Sequence, residues 1–255
     1  MSAPRWLLLL LLLASRGAAA QIVNVQALFE EKAEPGPSGA IELSGDWRTG
    51  STALFSIRGA LVGQWRAEPH TWLAVVRGEY TFANGERIVS RVLEHLRYRY
   101  RFSEWLAAES FLQHEFDEFR RLQARGLLGA GPRFTLKGTE DLGLVLGVAA
   151  MLEYEQLRHD GEPDAGRRWT DLRVSSYALV RVKLMENVSL LETVYAQPRV
   201  ARPSDIRLLN ETALAVTPNA YLTLSLGFTL TYDAAPPATV SPLDTQLRTT
   251  LGLKL

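Results

Sequence analysis

A run of basic side chains recurs at alternating positions between residues 91 and 101. Its members are Arg91, His95, Arg97, Arg99 and Arg101. The next stretch carries acidic side chains of a single parity, Glu109 and Glu115. Because alternate side chains of a β-strand lie on the same face, this spacing predicts two neighbouring strands whose shared face carries charges of opposite sign.

Two roles fit such a face inside a β-barrel. The charges could line a pore and bias the passage of ions, or they could pair with one another and fill a narrow lumen. Opposite charges on adjacent strands neutralise each other, which favours the filled lumen. A later stretch with the same alternation adds three lumen-lining candidates, Asp171, Arg173 and Arg181.

Catalytic chemistry has one weak candidate, the dipeptide His159-Asp160 in a polar stretch. It could act as an acid/base dyad, but such a dipeptide is more typical of a solvated loop. No spacing of Cys, His and Asp resembles a metal site, and no Gly-rich phosphate loop is present. We therefore predict no enzyme, no catalytic residue, no metal and no cofactor, with a barrel hydrolase as an alternative.

The N-terminus has the pattern of an export signal. Arg5 precedes an apolar run over residues 6–13, and Ala18-Ala19-Ala20 offers a small-residue cleavage site. The apolar run is much shorter than the roughly 20 residues of a transmembrane helix. We expect a signal peptide over residues 1–20, a periplasmic lead-in that could be disordered over 21–37, and a barrel over 38–255.

Charge and cysteine content exclude several classes of protein. The chain has 28 basic and 28 acidic residues, which is not the balance of a basic nucleic-acid binder. It has no cysteine, so it has neither a disulfide framework nor a lipid-modified N-terminal cysteine.

Period-2 alternation of apolar and polar residues recurs along the chain and predicts β-strands. It is clearest from Leu222 to Tyr232, where even-numbered positions are apolar. The predicted strands cover about 38–48, 51–65, 70–82, 87–102, 105–117, 122–136, 141–156, 169–184, 188–198, 204–216, 221–232 and 243–255. The longest breaks are 158–168, 197–203 and 233–242, and all three follow odd-numbered strands. An even count with long loops at one end indicates an all-β, transmembrane, antiparallel up-and-down β-barrel of about 12 strands.

Some residues depart from this pattern. Glu94 and His114 fall on the apolar phase of their strands, and a charge that faces lipid at mid-membrane costs on the order of a few kcal/mol. A position near a rim, or a β-bulge, would resolve the conflict. Residues 103–128 could also form an amphipathic helix.

A different class of protein is a periplasmic or surface binding protein built as a β-sandwich. The aromatic residues distinguish the two classes, because they form girdles in a barrel and a core in a sandwich. They are Trp47, Trp65, Trp72, Tyr80, Tyr98, Tyr100, Tyr154 and Tyr232.

Motifs in the C-terminal half resemble a known family. They are Asp117-x-Phe119-x-x-Leu122-x-x-Arg125 with Gly129-Ala130-Gly131, Tyr232-Asp233-x-x-Pro236-Pro237, and Asp244-Thr245-x-x-x-Thr249-x-Leu251-Gly252. Over about 38–255 the chain is similar to the YdiY-like family of salt-induced outer-membrane proteins. The resemblance implies an outer-membrane β-barrel with no accepted catalytic motif and no defined molecular activity.

Together these patterns predict an integral protein of the outer membrane of a Gram-negative bacterium. We expect a monomer with a structural or envelope-stress role, or a narrow porin-like channel for small solutes. Its expected partners are outer-membrane lipid and the barrel-assembly machinery during biogenesis, and no nucleic acid.

Overall fold

The computed structural model describes residue 24 and residues 35–50, 53–139, 141–219 and 222–253. They form one twelve-stranded antiparallel sheet in which the strands follow each other in chain order. The strands are β1 (Gly36–Arg48), β2 (Leu54–Ala67), β3 (His70–Ala83), β4 (Glu86–Arg101), β5 (Leu106–Asp117), β6 (Leu122–Gly138), β7 (Leu142–Leu157), β8 (Arg168–Met185), β9 (Val188–Arg199), β10 (Arg202–Asn219), β11 (Leu222–Asp233) and β12 (Leu243–Leu253). The predicted signal peptide lies outside the described residues.

The twelve predicted strands are all present, and their ends lie within three residues of the predicted ends. The helical interpretation of residues 103–128 is wrong. That stretch contains β5, a turn over 118–121 and the start of β6. In β5 every second side chain is buried, including Glu109, Phe111 and Gln113. Burial with period 2 is the signature of a strand and not of a helix.

The sheet curls on itself, as contacts between distant strands show. The hydroxyl of Tyr177 in β8 donates to Glu109 in β5 at 2.8 Å. Glu42 of β1, Glu211 of β10 and Arg248 of β12 line one cavity. One continuous sheet around a polar interior is a barrel, so the β-sandwich interpretation is wrong.

Aromatic side chains form two rows on the outer surface. The first row is Trp47, Phe55 and Phe82, and the second is Trp65, Trp72 and Tyr98, each aligned by direct cross-strand pairing. Phe55 and Trp65 lie ten positions apart on β2, roughly 33 Å along a strand. At a tilt of about 40° this is about 25 Å of height, the apolar band of an outer-membrane barrel. Within the described ranges, no helix is long and apolar enough to cross a membrane.

The longest described connections, 158–167 and 234–242, lie at the same end of the barrel, which we call the loop end. The opposite end, called the turn end, includes 68–69 and 102–105. The expected long break over 197–203 is wrong, because β9 and β10 extend into it and leave only Val200 and Ala201 between them.

Two glycines make room for aromatic rings inside the barrel. An added Cβ at Gly147 would lie 2.1 Å from the ring of Tyr177. At Gly129 it would lie 2.4 Å from the ring of Phe111. Both distances are far below van der Waals contact, so the two rings pack directly on glycine backbone.

We expect Gly147→Ala to destabilise the barrel by about 1–3 kcal/mol, because the new methyl group overlaps the Tyr177 ring and forces it to move. Gly63→Ala is the matched control, since its Cβ would meet nothing within 4 Å. Urea unfolding of the refolded proteins in detergent measures both. Equal midpoints for the two variants would show that the Tyr177 ring does not need this space.

Candidate functional site

The lumen contains a cluster of charges centred on Glu153 of β7, whose exposed fraction is 0%. Glu153 accepts hydrogen bonds from Nε of Arg125 at 2.7 Å and from Nε of Arg173 at 2.6 Å. It also accepts one from Arg207. These arginines come from β6, β8 and β10, so a single carboxylate joins four strands.

Further carboxylates complete what we call the Glu153 cluster. Glu155 accepts a hydrogen bond from Arg207 at 2.8 Å, and Asp233 accepts another at 3.2 Å. Asp205 accepts one from Arg173 at 3.0 Å. Ionised groups can remain away from water only when they are paired and hydrogen-bonded. The cluster meets that condition with charges of both signs from five strands.

A second group, the Glu109 cluster, lies closer to the turn end. Glu109 is buried and accepts hydrogen bonds from Arg97 at 3.0 Å, Arg99 at 2.9 Å and Tyr177. The guanidinium of Arg97 lies 5.0 Å from the ring centre of Phe111, which is a cation–π contact. Acidic and aromatic groups therefore surround Arg97 and Arg99 in the basic run of β4.

The structure places the sequence candidates at several levels of the barrel. His95, Arg97, Arg99 and Glu109 belong to the Glu109 cluster or its edge, and Nδ1 of His95 lies 3.0 Å from Oε1 of Gln113. Arg173 belongs to the Glu153 cluster, and Glu115 lies 3.6 Å from Arg125.

The remaining candidates lie nearer the ends of the strands. Arg91 pairs with Glu79 on β3, and Arg101 pairs with Glu68 near the turn end. Asp171 pairs with Arg199 at 2.7 Å. Arg181 lies toward the turn end of β8 and is exposed.

The charged centre of the interior was not among the lumen-lining residues predicted from the sequence. It comprises Arg125, Arg133, Glu153, Glu155, Asp205, Arg207 and Asp233. All seven lie at odd-numbered positions, the inward parity of their strands, so parity could have found them. What parity could not show is that they converge.

The other side of the lumen is open. A cavity of about 470 Å³ lies against β1 to β5, and a second of about 310 Å³ lies against β10 to β12. Arg77, Arg91, Glu211 and Arg248 line both cavities, so the two are adjacent. Asn24, from the predicted lead-in, is buried there and hydrogen-bonded to Glu211. The lumen is thus filled on one side and hollow on the other.

Arg121 joins three connections at the loop end, an arrangement we call the Arg121 clamp. Its guanidinium donates to Asp160 at 2.7 and 2.9 Å, to Asp164 at 2.5 Å and to the carbonyl of Ala238 at 2.8 Å. Asp164 also accepts from the backbone N–H of Ala238 at 2.8 Å. Hydrogen bonds from Arg121 lower the pKa of Asp160 to about 2, and the same bonds raise the pKa of Arg121.

The His159-Asp160 dipeptide lies within this clamp. Both carboxylate oxygens of Asp160 accept hydrogen bonds from Arg121, which is the geometry of a structural ion pair. The ring of His159 lies over Gly166, where an added Cβ would be 2.1 Å from it. Among the residues that the structure describes, no group of three His, Cys, Asp or Glu is placed to hold a metal ion.

Glu94 and His114 lie directly opposite each other across β4 and β5 on the outer surface. Nδ1 of His114 is 3.3 Å from Oε2 of Glu94. The two explanations expected from the sequence are wrong. The β4–β5 ladder is in register at this point, and both residues lie well inside their strands.

We expect Glu153→Gln to destabilise the folded barrel by about 3 kcal/mol or more, because three buried arginines lose their common counter-charge. Tryptophan fluorescence during urea unfolding measures the change. Glu104→Gln, in the exposed 102–105 turn, is the control and should leave the midpoint unchanged. A midpoint for Glu153→Gln equal to that of the control would contradict a central role for Glu153.

We expect Arg121→Gln to release the loops and increase their cleavage by proteinase K. Arg48→Gln is the control, since Arg48 is exposed at the same end and pairs with Asp46 on its own strand. Equal cleavage of the two variants would contradict the clamp.

The pKa of Asp160 defines the pH range of the clamp in the unmodified protein. Its pKa is lowered from an ordinary value of 3.8 to about 2. The stabilisation is therefore complete above about pH 4 and is lost as the pH falls through about 2. Resistance of the loops to cleavage should be constant from pH 8 to pH 4, with an acid-tolerant protease used at the lower end. A loss of resistance between pH 6 and pH 5 would contradict this assignment.

A family model described as "Protein of unknown function, DUF481" matches residues 41–255. A comparison with curated proteins found no match.

The solved structures that resemble this barrel include porins and a translocator. The NanC porin is similar with a TM-score of 0.50 and 12% sequence identity, over 85% of this chain and 100% of that chain. The translocator domain of autotransporter NalP from Neisseria meningitidis has a TM-score of 0.44 and 9% identity, over 88% and 90%. The KdgM porin in complex with disordered oligogalacturonate has a TM-score of 0.39 and 9% identity, over 80% and 96%. At 12% identity the likeness to NanC shows the fold alone.

Proposed function

The chain belongs to the DUF481 family of proteins of unknown function, and from its barrel geometry we propose that it is an integral outer-membrane protein that conducts small polar solutes. The path is the hollow side of the lumen. The loop end faces the cell exterior and the turn end faces the periplasm, in accordance with the short turns and long loops of such barrels.

The observation that carries this proposal is the pair of adjacent polar cavities. Cavities of about 470 and 310 Å³ share four lining residues, so solvent can occupy them as one space. The filled side, with the Glu109 and Glu153 clusters, restricts that space and limits the size of a solute. NanC, which has a similar fold, is a porin, so passage of solutes is the first activity to test here.

The lining of the path has nearly balanced charge. Its ionisable groups are Arg58, Arg77, Arg91 and Arg248 with Glu42, Glu79, Glu115, Glu211 and Asp244. Four cations against five carboxylates give weak selectivity between anions and cations. The solute is therefore selected mainly by size.

Several features support an outer-membrane location in a Gram-negative bacterium. The N-terminal residues have the pattern of a signal peptide, and the aromatic rows bound an apolar band of suitable height. The finer assignment to YdiY-like salt-induced proteins rests on the C-terminal motifs and is part of the proposal. Lipid and the barrel-assembly machinery are the partners that such a location requires.

A structural or envelope-stress role is the second candidate. The fully buried Glu153 and the Arg121 clamp favour this role. The Glu153 cluster fills part of the lumen, and the clamp holds the connections together at the loop end. In that role the barrel would be a plugged body and the remaining cavities would not connect the two sides of the membrane.

Planar-bilayer recording separates the two candidates. We expect a small, steady conductance from the refolded protein and a clear reduction in Ala60→Phe, because Ala60 lines the larger cavity. Ala74→Phe is the control, since Ala74 is exposed on the outer face of β3. A folded, heat-modifiable barrel without conductance would overturn the channel and leave the structural role.

A further inference from the structure

The outer surface carries a carboxylate–imidazole pair, Glu94 and His114, where a lipid-facing barrel should be apolar. Glu94 is 57% exposed and His114 is 51% exposed. Glu94 pairs directly with Val76 of β3, which lies four positions from Trp72 of one aromatic row and six positions from Phe82 of the other. The pair is therefore close to the middle of the apolar band.

Nothing described in this chain covers the pair. Its neighbours on the outer face include Val76, Val92, Leu96 and Leu112, all exposed and apolar. Glu192, another acidic residue on the outer face, is different, because Asn210 and Thr212 donate hydrogen bonds to it. In hydrocarbon, polar groups seek partners in other segments because no water can satisfy them.

The surface beside the pair permits close approach of another protein. Gly126 lies directly across from His114 on β6, and an added Cβ there would meet nothing within 4 Å. Toward the turn end the outer face continues with small residues that pair across β5, β6 and β7. They are Ala108, Ser110, Ala130, Pro132 and Ala150. Small residues allow membrane-embedded surfaces to pack closely.

We propose that this patch is the interface of a symmetric dimer, in which Glu94 of each barrel pairs with His114 of the other. A two-fold axis along the membrane normal preserves height and reverses left and right. It therefore brings the carboxylate of one copy opposite the imidazole of its partner, twice. A carboxylate beside an imidazole is self-complementary under this operation, as an isologous interface requires. A dimer would replace the monomer expected from the sequence. This proposal rests on the proposed membrane location but not on conductance.

Disulfide crosslinking tests the dimer directly, because the chain has no cysteine of its own. Leu112→Cys places a thiol within the patch, and Leu224→Cys places one on β11, away from it; both side chains are exposed. In liposomes that contain only this protein, mild oxidation should convert at least half of Leu112→Cys to a crosslinked dimer. Leu224→Cys should remain monomeric. Heat-modifiability of every sample shows first that the barrel is folded.

Two further variants test the contacts. In the Leu112→Cys background, replacement of both Glu94 and His114 by Leu should reduce the crosslinked fraction about tenfold without destabilising the barrel. Gly126→Trp should also reduce the crosslinked fraction, because the indole ring would fill the open space beside His114. Gly63→Trp, at another outward glycine with open space, should leave the crosslinked fraction unchanged. A folded Leu112→Cys protein that stays monomeric, or that crosslinks in cells only to a different protein, overturns the proposal. Failure of conductance alone leaves this test unaffected.

Discussion

The interior of this barrel depends on the carboxylate of Glu153. It has no exposed surface, and it is within hydrogen-bonding distance of arginines from three other strands. Those arginines would repel one another at this distance without an anion between them. The network also crosses the lumen, since Arg207 reaches from β10 to β7. Charge pairing therefore acts in this interior beside apolar clusters such as the one around Tyr177, Tyr195 and Leu209, and it contributes to how closely opposite walls can approach.

The uneven distribution of these pairs determines what the barrel can do. The Glu109 and Glu153 clusters draw on strands from β4 to β11, and there the walls meet. The first three strands carry pairs such as Arg58–Glu79, which lie along the wall and leave the centre hollow. The hollow side is consequently the part of the lumen in which a solute can pass, and the filled side is the part that keeps the cross-section narrow.

Much of this arrangement follows from period-2 alternation. It predicted the strands, and it predicted that Arg99 faces Glu109. The two residues are direct cross-strand partners. It could not predict that Arg207 meets Glu153, because contacts across a lumen depend on the radius and stagger of the barrel, which alternation does not encode. Alternation could not predict the Arg121 clamp either, because loops have no periodicity. Glu94 and His114 were recognised as exceptions, but only the register of β4 against β5 shows that they face each other.

The Arg121 clamp has a consequence for how this protein can vary. Surface loops of a barrel usually tolerate insertions and substitutions independently of one another. Here the connections 118–121, 158–167 and 234–242 share the hydrogen bonds of one guanidinium. A change in any one of them alters the fit of the other two. The loop surface should therefore evolve as one coupled unit, with the least freedom at Arg121, Asp160 and Asp164, and any binder that recognises it would meet a composite epitope made from distant parts of the chain.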